Sequence, residues 1–573
     1  MAEMTVLSGE EATLSFTPTD VSQIGQDLSN PDTYGLASPI TDSTNITVNY
    51  TIPSVTSGNN PYNTSRITKF AEDLTANNFT FNINFGNNLW GVYVLNVSEN
   101  KRVSLNSVSY NIIDSATSHP INNITVSKGG LFEVEGDLVV SDRRTTKSWY
   151  QTRLGFQGSG NVNINGNLTI SSEMETKYDN ALNGVKLELS EINSFTVGGV
   201  VTLQSIWNDK KWIRLNSNTR NVFERSFGGL SVALGGIIEL DGQSNVTATT
   251  LTFTNSGRNE FNGSLATRIE VERTDGKISS WGNVVDNKLN ITMDATDPQN
   301  GYQVLRFSKI DNYENENWIN YAFTSGANSL NEIVVKNGRL DIAMYDGMKA
   351  SSLSMEGGVF SAAGDNSEMG KVVFDKIVFS KGAIYFDIFE TENDSLQING
   401  SIEKVSDSSK LTLEMSVNES DLRAWLEAAG EDSKSVELIT FSSEGSNVTA
   451  EDFSLKLLDG VSGEISMDEA GGMISLSVNL GLVPEPEAVA SVLAAIAIVA
   501  ACFRQRAYNG RAKKQGNRIN RKHYAVNELS RGGRESRKHI VAFGYGIYEG
   551  WYENRYDHAL AYQVKCENPE QWN

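Results

Sequence analysis

The sequence predicts an all-β fold: a parallel β-helix (solenoid) that follows an N-terminal β-rich region and precedes a single C-terminal membrane helix. A nine-residue pattern with a central glycine recurs along the middle of the chain. Glycine is abundant (49 residues) and proline is scarce (10 residues), as expected for many short strands joined by tight turns. One uncharged apolar run, Ala488–Phe503, follows the repeats. These three observations define the predicted fold class.

The recurring pattern alternates apolar and polar residues on both sides of its glycine. Its four clearest copies are centred on Gly136, Gly166, Gly199 and Gly236. Alternation places the apolar residues of a copy on one face, and the glycine lets the strand bend. Short strands that each bury one face must stack to form a core. We therefore expect the four glycines to stack at one corner, with parallel pairing between copies. Separate hairpins that turn at the glycines are the alternative.

Weaker copies extend the repeat toward the C-terminus. Leu396–Ile402 is a shorter copy centred on Gly400, and Ile333–Ile342 and Leu353–Phe360 each have one extra residue before the glycine. Short alternating runs at residues 78–85 and 103–108 predict strands earlier in the chain, which we expect to form an antiparallel sheet or sandwich. One helix is predicted at Glu419–Ala429, between a capping Asn418 or Ser420 and Gly430.

The chain divides into five regions by composition and pattern. Residues 1–120 form the β-rich N-terminal region, residues 121–415 the repeat body, and residues 416–482 a β-rich lead-in. Residues 483–506 hold a Pro-Glu-Pro motif and the apolar run, and residues 507–573 form a basic and then aromatic tail. Met1–Phe16 has neither the basic nor the apolar segment of an export signal, so we expect the true start to lie upstream. The tail is either a fused reading frame or a cytoplasmic segment that binds anionic lipid.

Charge and motif content narrow the functional classes. The formal net charge of −22 makes nucleic acid a poor partner. The two cysteines, Cys502 and Cys566, cannot form a disulfide framework. The sequence has no HExxH, GxSxG, Walker A or CxxC pattern. We therefore predict no catalytic residue, no metal site and no cofactor.

The C-terminal signal has three parts in a fixed order: Pro484-Glu485-Pro486, the apolar run, and two arginines, Arg504 and Arg506. The prolines hold the motif extended, which is the form that a peptidase groove reads. A helix of about 16 apolar residues spans roughly 24 Å, so flanking arginines must snorkel to complete a membrane crossing. The alternative is a buried Ala-rich helix that follows a Pro-Glu-Pro turn.

This signal resembles the PEP-CTERM sorting domain of exported proteins in Gram-negative bacteria. The resemblance implies that Pro484, Glu485 and Pro486 are the recognition motif, that Ala488–Phe503 is the membrane helix, and that Arg504 and Arg506 are the membrane stop. It also implies export, transient anchoring in the inner membrane, processing by an exosortase-type enzyme, and delivery to the cell surface or extracellular matrix. The chain departs from the family in its thin basic cluster and in the residues that follow it.

The region from Val335 onward resembles the β-helical modules of autotransporter-repeat PEP-CTERM proteins. The residues that carry this resemblance are Lys336–Ile342, Gly382–Ile388, Asp394–Gly400, Ser435–Thr440 and Gly472–Val478. Such modules are rigid spacers or adhesive stalks, so the resemblance implies a structural or adhesive role.

Basic and aromatic residues cluster between repeat copies in an otherwise acidic body. The candidate glycan-binding residues are Arg143, Arg144, Trp149 and Arg153 between the first two copies, and Trp207, Trp212 and Arg214 between the third and fourth. Aromatic faces stack on sugars and guanidinium groups pair with carboxylate or sulfate, so we predict weak binding of an acidic exopolysaccharide or glycan. Loop residues that only cover the solenoid are the alternative. At the level of function, a surface β-helix lyase or hydrolase acting on acidic polysaccharide is the alternative to the structural or adhesive role.

Overall fold

The computed structural model describes residues 3–7, 11–16, 26–30, 39–52, 68–85, 90–113, 119–143, 152–173, 185–205, 211–214, 223–241, 249–274, 277–281, 289–309, 313–314, 321–324, 330–362, 370–483 and 496–504. The chain forms two compact units, Met1–Val483 and Pro484–Asn573. Every described strand lies in the first unit. In the second unit, residues 496–504 are helical.

Most strands of Met1–Val483 belong to two parallel ladders, which we name sheet A and sheet B. Sheet A contains β2 (Glu11–Phe16), β4 (Asn45–Ile52), β6 (Leu74–Phe85), β8 (Arg102–Ile112), β10 (Leu131–Val134), β11 (Leu138–Asp142), β13 (Asn161–Ile164), β14 (Leu168–Ser172), β16 (Ser194–Ser205), β18 (Phe223–Asp241), β19 (Thr249–Phe253), β22 (Leu289–Asp294), β26 (Leu330–Asn337), β28 (Ala350–Met355), β30 (Lys371–Phe379), β32 (Ser395–Ile398), β33 (Ile402–Lys404) and β35 (Ser433–Ser442).

Sheet B also includes the second half of β18. Its other strands in the ladder are β3 (Gln26–Asp27), β5 (Thr68–Phe70), β7 (Trp90–Val97), β9 (His119–Val126), β12 (Thr152–Gln157), β15 (Val185–Ser190), β17 (Lys211–Arg214), β20 (Arg258–Thr274), β23 (Tyr302–Phe307), β27 (Arg339–Ala343), β29 (Val359–Ser361), β31 (Ala383–Phe386), β34 (Leu411–Met415) and β36 (Phe453–Lys456).

A few strands pair antiparallel at the margins of the ladders. They are β1 (Glu3–Leu7), β21 (Lys277–Trp281), β24 (Tyr313–Glu314), β25 (Tyr321–Thr324), β37 (Val461–Ala470) and β38 (Met473–Leu482). Strand β35 pairs antiparallel with β38, and β38 pairs antiparallel with β37. Sheet A therefore ends in three antiparallel strands, which we name the C-terminal cap. The observed fold is therefore all-β and dominated by parallel sheets, as the sequence predicts.

The repeat glycines lie at bends within sheet A. We call one strand of a sheet, or two strands joined by such a glycine, a level of that sheet. Strands β10 and β11, on either side of Gly136, both pair in parallel with β8, which excludes a hairpin at this glycine. The Gly166 amide donates to the Gly136 carbonyl at 3.0 Å, and the Gly199 amide donates to the Gly166 carbonyl at 2.9 Å. Stacking of these three glycines at one corner is therefore confirmed. Gly400 lies at a similar bend between β32 and β33, both of which pair with β30.

The expectation for Gly236 is wrong. In register with β16, Val200 lies opposite Gly229, whereas Gly236 lies opposite Lys211 and Gly263 in sheet B. Strand β18 is 19 residues long and runs through both ladders, so the same alternation occurs twice along it. In the two variant copies of the repeat, the glycines Gly338 and Gly358 lie where the chain passes from sheet A to sheet B. Both glycines have positive φ (81° and 59°).

The expectation of an antiparallel sheet in residues 1–120 is also wrong for the described ladder strands. Strand β2 pairs in parallel with β4, β4 with β6, and β6 with β8. The two predicted strands at residues 78–85 and 103–108 are confirmed as parts of β6 and β8. Alternation correctly placed their apolar faces, but it carries no information on the direction of the neighbouring strand.

The core lies on the inward faces of the ladders. Phe132, Val162 and Phe195 occupy one row of successive strands and are at most 1% exposed. The Phe195 ring is 4.9 Å from the ring of Phe156 on sheet B, so side chains of the two sheets meet in one core. Stacked apolar rows of this kind bury one face of every strand.

The helix α1 (Glu419–Ala429) contacts strand β38 of the C-terminal cap. The Asn418 side chain accepts from the Asp421 amide at 2.9 Å, which satisfies a free N–H of the first turn. Gly430 ends the helix at φ 68°. Leu422 and Leu426 are its buried residues. The predicted bounds and caps are confirmed, with Asn418 as the N-cap.

Candidate functional site

The predicted sorting motif has no described geometry. Pro484, Glu485, Pro486 and Arg506 lie outside the described residues, whereas Arg504 is exposed at the end of the helical residues 496–504. Across the described part of the chain, no helix combines the length and apolar character that a membrane crossing requires. The first residues of the predicted run Ala488–Phe503 are outside the described set.

Part of the predicted glycan patch is brought together on sheet B. Arg144, Trp149 and Trp207 lie outside the described residues, and Arg143 is exposed just after β11. Arg153, Trp212 and Arg214 belong to β12 and β17, which flank β15. In register, Lys186 of β15 lies opposite both Arg153 and Trp212, and Glu188 lies opposite Arg214.

Arg153 belongs to an ionic network that faces outward from sheet B yet is largely buried. Its Nη2 lies 2.7 Å from Glu188 Oε2. Lys186 Nζ lies 3.8 Å from both Glu188 Oε2 and Glu239 Oε2. The side chains of Lys186, Glu188 and Glu239 are only 9%, 7% and 1% exposed. Buried charges require partners of opposite sign, so the Arg153 guanidinium stabilises this network.

A second cluster alternates guanidinium groups and aromatic rings on the outward face of sheet B. The Arg258 guanidinium on β20 lies 5.1 Å from the ring centre of Tyr302 on β23. The Arg339 guanidinium on β27 lies 4.9 Å from the same ring and 4.2 Å from the ring of Tyr385 on β31. Cation–π contacts of this kind stabilise most when they are shielded from water. We name Arg258, Tyr302, Arg339 and Tyr385 the Arg–Tyr stack.

Asp341 holds the inner part of the Arg–Tyr stack in place. Arg339 Nε and Nη2 donate to its two oxygens at 2.8 and 3.0 Å, and the Tyr302 hydroxyl also donates to it. The Asp341 side chain is 1% exposed. Burial raises the pKa of Asp341, and the Arg339 hydrogen bonds oppose that rise. A bidentate pair with a planar guanidinium fixes both side chains.

Two more buried aspartates, Asp387 and Asp394, interact electrostatically with Asp341. Burial raises the pKa of Asp387, while hydrogen bonds from Ser416 and Tyr385 oppose the rise. Burial also raises the pKa of Asp394, to about 6, although its carboxylate accepts from the amides of Gly370 and Asp387 at 2.8 and 2.9 Å. The charges of Asp341 and Asp387 raise the Asp394 pKa further. Asp341 and Asp387 therefore both interact with Arg339, and Asp394 interacts with these two carboxyl groups.

Sequence reasoning did not find this cluster. Its members come from four strands, and Arg339 lies far from both Tyr302 and Tyr385 in the chain. One feature of the sequence could have indicated the cluster. Arg339 and Asp341 follow the repeat glycine Gly338 and place opposite charges at two alternate positions of one strand. Within the described residues, no group of three or more His, Cys, Asp or Glu is arranged to hold a metal ion.

Comparison with known proteins adds no relative. No family model matches the chain, and no curated protein is significantly similar to it.

Proposed function

We propose that Met1–Val483 is a parallel β-helix that serves as a structural or adhesive scaffold on the cell surface or in the matrix. The observation that carries this proposal is the continuity of the two ladders. Sheet A continues in parallel from β2 to β35 and sheet B from β3 to β36, with fifteen levels in each. At about 4.8 Å per level, fifteen levels give a stack of roughly 70 Å.

Side-chain ladders support a rigid scaffold. Asn82 Nδ2 donates to Asn49 Oδ1 at 2.8 Å, and Asn111 Nδ2 donates to Asn82 Oδ1 at 2.9 Å, so one amide row links three levels. Asn331 and Asn290 make the same contact at 2.9 Å farther along sheet A. Stacked amides add hydrogen bonds between levels to those of the backbone. A stack bonded in this way suits a spacer or stalk.

The sorting route is part of the same proposal. The order Pro484-Glu485-Pro486, apolar run, Arg504 and Arg506 supports export, a transient hold in the inner membrane and cleavage by an exosortase-type enzyme. On this proposal the mature surface form ends close to the Pro-Glu-Pro motif.

Cysteine cross-linking tests the order of the levels. Thr80 and Ser109 are register partners on β6 and β8, and Val139 is the next partner, on β11. The double variant Thr80→Cys with Ser109→Cys should form a disulfide under mild oxidation, because neighbouring strands bring the Cα atoms into bonding range. The control, Thr80→Cys with Val139→Cys, spans two levels and should not. Equal cross-linking of both pairs would reject the stacked order.

A second candidate is a surface enzyme that acts on acidic polysaccharide. The observation that favours it is the group of interacting carboxyls Asp341, Asp387 and Asp394, the first two of which also interact with Arg339; burial raises the pKa of all three. The purified chain would then shorten a polyuronate, as size-exclusion chromatography would show, and Asp387→Asn would abolish the shortening. An unchanged polymer length with the parent chain would remove this candidate.

A further inference from the structure

We infer that the outer edge of strand β37, in the C-terminal cap, binds an extended basic polypeptide segment as an added antiparallel strand. Strand β37 is the margin of the cap, because it pairs with β38 and no other described strand pairs with it. The inference goes beyond the proposed scaffold role by naming a protein partner, and it does not depend on the sorting route.

The backbone of β37 offers hydrogen-bonding groups along this edge. The Val483 amide donates to the Gly460 carbonyl at 3.0 Å, which places a hydrogen-bonded pair just before the first residue of the strand. Hydrogen-bonded and non-hydrogen-bonded pairs alternate in an antiparallel ladder, and the register of β37 with β38 has no shift. The N–H and C=O groups of Gly463, Ile465 and Met467 therefore point away from β38 and toward an added strand.

Strand β37 lacks the features that usually prevent strand addition. Natural edge strands are short, carry lysine or proline, or are interrupted by a bulge. Strand β37 is 10 residues long, contains neither lysine nor proline, and pairs with β38 without a bulge. Most of its residues are exposed, so the edge is open to a partner.

Acidic side chains on β37 disfavour pairing with a second copy of the chain. Glu464 and Asp468 are exposed on the same face of the strand, and neither has an ion-pair partner in the described part of the chain. If two copies paired antiparallel around Ser466, Glu464 of each copy would lie directly opposite Asp468 of the other, and like charges in that position are destabilising. A shift of the pairing centre to Ile465 would place the same acids at diagonal positions, which long side chains still reach.

The same acids favour a basic strand. Lysine or arginine residues four positions apart on an added strand would face Glu464 and Asp468, where opposite charges attract. The other face of β37 is apolar, because Ile465 and Met467 pack against the core and are partly buried. Apolar residues at the alternate positions of the partner would extend this row. The partner that fits the edge therefore has basic residues on one face and apolar residues on the other.

The test measures binding of a fluorescein-labelled peptide, Thr-Lys-Val-Thr-Val-Lys-Thr-amide, to the full chain by fluorescence anisotropy. The two lysines match the spacing of Glu464 and Asp468. Glu464→Lys with Asp468→Lys should weaken binding about tenfold, because two attractive cross-strand pairs become repulsive. The control, Glu332→Lys with Glu356→Lys, changes the net charge equally at two exposed positions, and Glu332 lies on β26, which is paired along both edges. Its binding should equal that of the parent chain.

Methylation of single peptide amides separates strand addition from charge attraction alone. In the antiparallel arrangement the two valine amides of the peptide donate to β37, whereas the amide of the central threonine points away. Methylation of one valine amide should weaken binding about fivefold, because one hydrogen bond is lost. Methylation of the central threonine amide should leave binding unchanged. A peptide with glutamate in place of both lysines should bind the charge-reversed variant and not the parent chain.

The inference would be overturned by absence of peptide binding to the parent chain, by equal losses in the two charge variants, or by equal effects of the two methylations. Sedimentation velocity of the parent chain tests the competing occupant: a dimer that the lysine peptide dissociates would assign the edge to a second copy, which also overturns the inference. Near-UV circular dichroism of both charge variants should match the parent. The methylated peptides test the parent chain itself, so the inference stays testable if a variant misfolds.

Discussion

Substitution of one stacked glycine should open the corner of sheet A. A Cβ added at Gly166 would lie 2.4 Å from the Gly136 carbonyl carbon, 2.5 Å from the Gly136 oxygen and 2.5 Å from Asp137 Oδ1. The carbonyl is backbone and cannot rotate away, so the two levels must separate. Gly166→Ala therefore loses the 3.0 Å hydrogen bond to Gly136 and adds overpacking. The two effects together should lower the free energy of unfolding by about 2–4 kcal/mol.

Gly257→Ala is the matched control for this prediction. Nothing lies within 4 Å of a Cβ built at Gly257, so its free energy of unfolding should stay within about 0.5 kcal/mol of the parent chain. Urea unfolding followed by fluorescence gives the midpoint, and hydrogen exchange locates the loss in Leu131–Ser172. If Gly166→Ala and Gly257→Ala unfold at the same urea concentration with the same exchange pattern, the close stacking at Gly136 is not a constraint.

Four other changes test separate parts of the molecule. Gln303→Met should cost about 2–4 kcal/mol in urea unfolding, because the buried amide N–H and carbonyl of Leu230 lose their partner; an unchanged midpoint would contradict this. Asp394→Asn should flatten the dependence of stability on pH. In the parent chain, a folded pKa of about 6 against an ordinary value of 3.8 means that the folded state binds the extra proton, so stability falls as pH rises from about 4 to 6; thermal melts at several pH values measure this slope. Asn418→Ala should cost about 1 kcal/mol, measured by loss of local exchange protection in α1, and equal protection would argue against the cap. Glu485→Ala should leave an uncut precursor in a host with an exosortase; intact mass decides, and a mature form that retains Trp551 would contradict the route.

The repeat in this sequence predicted more of the fold than any motif. Alternation around Gly136, Gly166 and Gly199 gave the buried faces, the bend and the parallel stacking, because all three follow from local geometry and a shared period. The helix α1 was predictable for the same reason, since Asn418 and Gly430 act on backbone groups a few residues away. Features that depend on near neighbours in the chain were accessible.

Features that depend on contacts with a neighbouring level of the sheet were not accessible from the sequence. Alternation in β4 and β6 identifies an apolar face but is the same for parallel and antiparallel neighbours. The pattern around Gly236 satisfies the repeat equally well, yet the chain has already passed to sheet B at that point. Parallel pairing requires a connection that returns the chain to the same end of the sheet, and alternation within a strand does not reveal that connection.

The same limit applies to the sites. Arg153 could be recognised as a basic residue in an acidic body, but its partner Glu188 comes from the next level of sheet B. The Arg–Tyr stack forms because Arg258, Tyr302 and Arg339 occupy matched positions on three strands. A residue list gives the chemistry of such side chains, whereas their partners follow only from the register.

The regular repeat fails at strand β18, and polar side chains occupy inward positions near it. Arg225 occupies the inward row between Phe195 and Leu251 and is fully buried. Its guanidinium donates to the Ile192 carbonyl at 3.1 Å, and burial lowers the pKa of Arg225 to about 10. Three residues past Phe227, which makes the last pairing of β18 with β19, the Leu230 backbone would face an absent strand. The Gln303 side chain takes that place, accepting from the Leu230 amide at 3.0 Å and donating to its carbonyl at 3.1 Å. Because a buried backbone group must be paired, a side-chain amide can stand in for a missing strand. Two inward polar side chains, Arg225 on β18 and Gln303 on β23, therefore satisfy the buried groups at the place where the regular period fails.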